Sequence, residues 1–190
     1  MTYFTGKGDD GMTTLYGCNQ RISKSSAIAE ALGALDEATS MIGLSVALVD
    51  AMQLPGSVSA KEFLTDIQSH LFTIQAEVAG ADKHIAPASV TALEEMETNM
   101  AEVLPPISSF IVPGGNEISA RGDVARTVSR RAERRVVAVS EEGIVKILPE
   151  TLRYLNRLSS FFFVFARYVN EGAGITEQSP TYDEDPSSRT

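Results

Sequence analysis

Apolar residues recur at helical spacing in five separate stretches of this chain, and almost no stretch alternates as a strand does. The first runs from about residue 27 to about 52, through Ile28, Leu32, Leu35, Met41, Ile42, Leu44, Val46 and Leu48. Ser25 or Ser26 is placed to cap its start, and Leu54, Pro55 and Gly56 to end it. The second follows Ser57 or Ser59 and reaches about residue 79, with Phe63, Leu64, Ile67, Leu71, Phe72, Ile74 and Val78 on its inner face. A third, more acidic helix covers about 89–104 and stops at Pro105 and Pro106. Residues 107–115, ISSFIVPGG, read as a short extended piece closed by a turn. Two more helices follow at about 117–139 and 149–170.

Each amphipathic helix must bury its apolar stripe against another. The expected fold is therefore all-α, a five-helix bundle in a ferritin-like up-down arrangement. Residues 25–171 make the bundle and residues 1–24 a polar, Gly-rich loop packed on its edge. Residues 172–190, with Pro180, Pro186 and an acidic YDED, read as a flexible tail.

Composition excludes several function classes. A net charge of −9 opposes the basic field of a nonspecific nucleic-acid binder, yet leaves room for one small anion where basic residues gather. A single cysteine, Cys18, excludes an intramolecular disulfide framework and a multi-cysteine zinc site. The chain opens on polar residues rather than an apolar signal stretch. Its most apolar run, FFFVFA at 161–166, is too short to span a bilayer, so the expected location is cytoplasmic.

The loop FTGKGDDGMTT, residues 4–14, is the first candidate site. Glycines let successive backbone N–H groups converge on one spot, which suits phosphate. Gly6 to Gly11 has the spacing of a P-loop, but Met12 stands where its lysine belongs and no strand can precede it. On these residues alone two readings stand. The stretch is a mobile arm, or Thr5, Lys7, Thr13 and Thr14 hold phosphate oxygens.

The second candidate is VARTVSRRAERRVV, residues 124–137. Residues four apart lie about 40° apart in helical projection, so Arg126, Arg130 and Arg134 form one stripe and Arg131 and Arg135 a neighbouring one. Glu133 can pair with Arg130. Five arginines sharing one nearby acid repel each other unless an anion or another chain supplies charge; a solvated, ion-paired face is the alternative. Asp36 and Glu37 sit in the middle of the first helix, either as an exposed pair or with Asp36 meeting a surplus arginine. Asn156 lies among apolar neighbours, and a buried amide must be satisfied by protein or ligand. Of two histidines, His70 sits in a helix and reads as structural; His84 lies in a loop. No Glu-x-x-His occurs, and no histidine accompanies a nucleophile motif. A phosphate-binding protein without an evident base suggests a nucleophile that comes with the substrate.

Six stretches together resemble the ATP:cob(I)alamin adenosyltransferases of the PduO type, over residues 3 to 170. They are T-x-x-G-D-x-G at Thr5 to Gly11, R-x-S-K at Arg21 to Lys24 and G-x-x-D-E at Gly33 to Glu37. F-I-x-P-G-G follows at Phe110 to Gly115, R-R-A-E-R-R at Arg130 to Arg135 and Y-L-N-R-L-S at Tyr154 to Ser159. The resemblance implies a homotrimer with active sites between subunits. It implies transfer of the 5′-deoxyadenosyl group of ATP to cob(I)alamin with release of triphosphate. It also implies a reductase that supplies Co(I) and an enzyme that uses adenosylcobalamin.

By motif match, Thr5, Gly6, Lys7, Gly8, Asp9, Gly11, Thr13 and Lys24 hold ATP. Arg130, Glu133, Arg134 and Asn156 complete that site, Arg134 on the triphosphate. Asp36 and Arg130 form a salt bridge across the subunit interface. Phe110 faces the corrin and displaces its lower axial base; the residue type alone suggests core packing instead. Mg²⁺ is expected on the ATP phosphates, with no protein ligands.

Lys7 stands where the family commonly has threonine, Ser160 where it often has aspartate, Cys18 at a common glycine and Leu32 at a common aromatic. Two other functions share these residues: an ATP-dependent hydrolase or kinase with Asp9 or Asp10 positioning water, and an ATP-binding cobalamin carrier without turnover.

Overall fold

The computed structural model describes residues 4–15 and 20–182 of the chain; Cys18 lies outside them. An antiparallel pair, β1 (Met12–Thr14) and β2 (Arg21–Ser23), sets Thr13 opposite Ile22. Helices α1 (Ala27–Val46), α2 (Ala60–Val78), α3 (Pro87–Ala101), α4 (Glu117–Glu142) and α5 (Pro149–Gly172) follow. The expected five-helix bundle is present, with small hairpins added.

Local chemistry sets the helix ends. Ser26 accepts from the Ala29 amide and Ser59 from the Glu62 amide. Asn116 and Ser119 form a reciprocal box at the start of α4, and Gly143, with φ 67°, ends that helix. α3 and α5 begin on Pro87 and Pro149, where a missing N–H costs nothing. α5 has no cap of its own. Glu77 of α2 takes that place, accepting from the Leu148 amide at 2.7 Å and from the Thr151 hydroxyl. Its carboxylate is 1% exposed. His84 Nδ1 approaches it at 3.4 Å.

α1 ends six residues earlier than its apolar pattern suggests. After Val46 the bonds shorten to the three-residue type: Leu48 to Ser45, Val49 to Val46 and Met52 to Val49. This turn seats Val49 and Leu54 in the core, the latter from a two-residue hairpin of Gln53–Leu54 with Val58–Ser59.

Cross-helix bonds fix an up-down-up-down-up course. Thr39 meets Gln68, His70 meets Tyr154, Phe63 stacks on Phe161, and Glu133 meets Asn156. α1 lies between α2 and α4, and α5 between α4 and α3. Phe161, Phe162 and Phe165 pack on one another in the core, with ring centroids 5.2 to 6.2 Å apart. α1 buries Ala31, Ala34 and Ala38 and α4 buries Ala125 and Ala132, small residues that let the two axes approach. No helix among the described residues is long and apolar enough to cross a membrane.

Beyond Gly172, where a loose tail was expected, residues 175–179 are bonded to the segment before α4. The rest of that expected tail, from residue 183, lies outside the described residues.

Candidate active site

The N-terminal loop is built from two successive turns. Asp9 N–H donates to Gly6 and Gly11 N–H to Gly8, both at 3.2 Å, with Gly6 at φ 68° and Gly11 at φ 79°. The amides of Lys7 and Met12 bond to the side chains of Thr5 and Asp10. Four loop amides are thus engaged internally. The loop therefore offers the adjoining cleft side chains more than a nest of free N–H groups. Thr5, Lys7, Gly8, Met12, Thr13, Thr14 and Arg21 line a cleft of about 580 Å³. Gly6, Asp9, Gly11 and Lys24 are not among its lining residues. Lys24 Nζ donates to the Gly8 carbonyl at 2.7 Å, and its amide to Gly11.

Arg21 lies in the R-x-S-K motif, but nothing in the spacing marked it as a lining residue. It donates to the Lys7 carbonyl at 2.6 Å and to Asp10 at 2.7 Å. The Arg21 guanidinium holds the Asp10 carboxyl below the usual carboxylate range, helped by the Met12 amide.

Beside the cleft, β1 also walls a groove of about 770 Å³ that runs over α1 and α2 past Leu32, Gly33, Asp36 and Phe72. Asp36 is exposed there and has no ion pair among the described residues. Phe72, expected on the inner face of α2, is exposed at the groove.

The arginine helix departs from the expected charge balance. Arg126 pairs with Asp123 at 3.2 Å, Arg131 with Glu37, and Arg135 with Glu30 at 3.3 Å. Two of these acids come from α1, which no local spacing in α4 reveals. Arg130 and Arg134 alone of the five lack an acidic partner among the described residues; Arg134 Nη1 donates to the Arg130 carbonyl at 3.1 Å. Glu133 does not take Arg130. It accepts from Asn156 Nδ2 at 3.0 Å, while Asn156 Oδ1 accepts from Arg157 at 2.7 Å. Asn156 is exposed rather than buried, because its apolar sequence neighbours point to the other side of α5.

Phe110 is 80% exposed, so it does not pack in the core. Residues 107–115 carry no regular secondary structure. Their closing turn is held at Gly114, whose N–H donates to Asp123 and whose carbonyl accepts from Asn170, each at 2.9 Å. Asp123 and Asn170 escaped notice in the sequence. The signal was there, since a Pro-Gly-Gly turn leaves an N–H and a carbonyl that need partners.

His70 bridges the Tyr154 hydroxyl at 3.0 Å and the Ser89 hydroxyl at 3.1 Å. Burial holds its pKa below the usual imidazole value and pushes that of Tyr154 well above the usual phenol range. Both are tied up away from the cleft. No hydrogen bond or ion pair among the described residues joins the loop, residues 4–14, to residues 130–134 of α4. The two candidate halves are thus not bonded to each other within this chain.

A family model described as cobalamin adenosyltransferase matches residues 3–169. The chain is 39% identical to a corrinoid adenosyltransferase of Bacillus subtilis (strain 168), covering 92% of this chain and 90% of that protein. It is 38% identical to a cobalamin adenosyltransferase of Cupriavidus metallidurans, with 90% and 89% covered. A solved variant of the PduO-type ATP:corrinoid adenosyltransferase from Lactobacillus reuteri, complexed with cobalamin and ATP, superposes with a TM-score of 0.84 at 30% identity. That match covers 95% of this chain and 100% of that one. Six motifs in order, the helical bundle and these likenesses agree: the chain belongs to the cobalamin adenosyltransferase family, in its PduO-type branch.

Proposed function

We propose that the protein transfers the 5′-deoxyadenosyl group of ATP to cob(I)alamin. The electron pair of Co(I) forms the bond to C5′, and the C5′–O pair leaves with triphosphate. No proton moves, so no base is needed. The observation that carries this reading is the pair of unneutralised arginines, Arg130 and Arg134, on a helix whose other arginines are all matched. Such a surplus suits a polyanionic leaving group.

In this reading Thr5, Lys7 and Thr13 contact the ATP phosphates from the cleft, with Gly6, Gly8, Asp9, Gly11 and Lys24 holding its shape. Arg134 neutralises the departing triphosphate. Asn156, aimed by Glu133, contacts the nucleotide. Phe110 presents an apolar face to the corrin and crowds out its lower axial base.

Loop and arginines share no bond within one chain, and a site between subunits would bring the loop of one to the arginine helix of another. A homotrimer, with Asp36 of one subunit bonded to Arg130 of the next, is such an arrangement. Both groups are unpaired within the protomer, which supports the assignment. Mg²⁺ fits as a companion of the phosphates. No group of three or more metal-binding side chains occurs among the described residues, and Mg²⁺ suits sites where substrate phosphates supply most ligands. When bound it would share the neutralisation of triphosphate with Arg134 and Lys7.

A hydrolase or kinase reading needs a free acid to position water. Asp10 is committed to Arg21 and the Met12 amide, which leaves Asp9 as the acid that reading would use. The test is anaerobic: Mg-ATP and chemically reduced cob(I)alamin are mixed with the protein, the visible spectrum is followed and the phosphate product identified. Adenosylcobalamin with intact triphosphate is the expected result. ADP without a cobalt–carbon bond would establish the hydrolase, and ATP bound but unconsumed the carrier.

A further inference from the structure

The chain does not leave the molecule when α5 ends. Gly174, at φ 65°, turns it, and the Ile175 N–H donates back to the Asn170 carbonyl at 2.9 Å. Val112 N–H donates to the Gln178 carbonyl at 2.8 Å, and the Ser109 and Ser179 hydroxyls lie 2.6 Å apart. Between these tethers, Glu177 meets Arg167 of α5. The Arg167 Nε lies 2.9 and 3.0 Å from its two carboxylate oxygens. The Nη2 of the same guanidinium donates to the Pro105 carbonyl at 2.9 Å. The Arg167 side chain is 8% exposed.

A cation so far from water is tolerated only when its donors are matched, and here they are matched by two segments that have no regular structure of their own. One is the segment from 105 to 112, which carries Ile107, Phe110 and Val112 with their side chains exposed. The other is 175–179. Neither segment contributes a residue to the buried hydrophobic core among the described residues. The Gly174 turn alone would end α5. The arrangement therefore holds the apolar side chains of 107–112 at one place on the surface.

We infer that Arg167 and Glu177 are positioning residues for the segment that presents Phe110: their buried ion pair clamps residues 175–179 against residues 105–112. This rests on the reading above that Phe110 faces the corrin. Neither residue touches the reacting atoms. They act by fixing where the ring stands before cobalamin arrives, so that its ordering is not charged to the binding step.

The test uses full-length Glu177→Gln. Glutamine keeps an acceptor for the Arg167 Nε, so the buried guanidinium loses its opposing charge but not its hydrogen bond. Arg167→Lys, which keeps the charge but cannot reach both Pro105 and Glu177, is the second variant. Amide hydrogen exchange and steady-state kinetics are read together, with Phe110→Ala as reference. Exchange is expected to quicken in 107–112 and 175–179 and to stay unchanged in α1, α2 and α4. The cob(I)alamin KM should rise about tenfold, the worth of one charge-assisted hydrogen bond, with the ATP KM held within about twofold.

Unchanged exchange in both variants overturns the clamp. Quicker exchange with an unchanged cob(I)alamin KM, while Phe110→Ala raises it, overturns the positioning role. If Phe110→Ala also leaves it unchanged, the reading of Phe110 fails and takes the inference with it. Equal rises in both KM values would mark a merely structural pair and refute it too.

Discussion

Gly115→Ala is the substitution whose effect can be worked out most fully. Gly114 and Gly115 both hold positive φ, at 123° and 137°. An added methyl meets different surroundings at each. At Gly114 nothing lies within 4 Å. At Gly115 the new carbon would overlap Asn170 Oδ1 and sit 2.7 Å from its Cγ and 2.9 Å from its Nδ2. Both substitutions carry backbone strain of about 1–3 kcal/mol. Gly115→Ala also forces Asn170 aside, breaking the buried bond from its Nδ2 to the Gly114 carbonyl, for about 1–3 kcal/mol more. The expected loss is thus about 2–6 kcal/mol for Gly115→Ala against about 1–3 for Gly114→Ala. Urea unfolding followed by circular dichroism measures both. Asn170→Ala closes the cycle, because it removes the colliding group. The double variant Gly115→Ala with Asn170→Ala should lose less than the sum of the singles, by about the collision energy. Equal losses at the two glycines together with an additive cycle would refute the packing argument.

Arg134→Ala should lower adenosyl transfer about 10²–10³-fold, the range for removing one donor to a developing anion, with the bundle's melting unchanged; spectrophotometric turnover checks this. Asp36→Asn should weaken the proposed trimer or cobalamin affinity, and sedimentation showing an unchanged oligomer with the same affinity would count against the proposed bridge to Arg130. His70 gives a pH dependence with a definite sign. Burial lowers its folded pKa below the ordinary 6.5, so in the window between that lowered value and 6.5 the unfolded chain holds a proton that the folded chain does not. Stability therefore falls as pH falls through this window, with a slope of at most about 1.4 kcal/mol per pH unit. Urea midpoints across it should show that slope, and His70→Gln should remove it.

Periodicity and caps made the bundle legible, because each helix carries its own apolar stripe and some carry their own start signal in Ser26, Ser59 or Pro149, while the third helix begins at Pro87, two residues before the expected start. The overrun of α1 had a tertiary cause. Val46 and Leu48 continue the helical pattern, and only the pull of Val49 and Leu54 into the core bends the chain away. Loop and arginine motifs were readable as clusters, but the charge balance was not. Glu37 and Glu30 reach Arg131 and Arg135 from a helix some ninety residues or more distant in sequence, which left Arg130 and Arg134 unidentified as the surplus. Asn156 illustrates the opposite error. Flanking Leu155 and Leu158 suggested burial, yet on a helix the neighbours of an exposed residue are often the buried ones. Phe110 looked like core by residue type alone, and only the tethers around Gly114 show why it stands outside.

Whether the loop of one subunit meets the arginines of another is tested most directly by mixing two inactive chains. Lys24→Ala damages the loop half and leaves the arginines, and Arg134→Ala does the reverse. Each alone should be nearly inactive. When the two are co-expressed, a loop from one chain and an arginine helix from the other meet intact at roughly a quarter of interfaces in a randomly assembled ring. Recovery of about that share of wild-type adenosyl transfer, with none when both substitutions are placed in the same chain, is the predicted result. A mixture no more active than its parents, in demonstrably mixed oligomers, would mean that each site is built within one protomer.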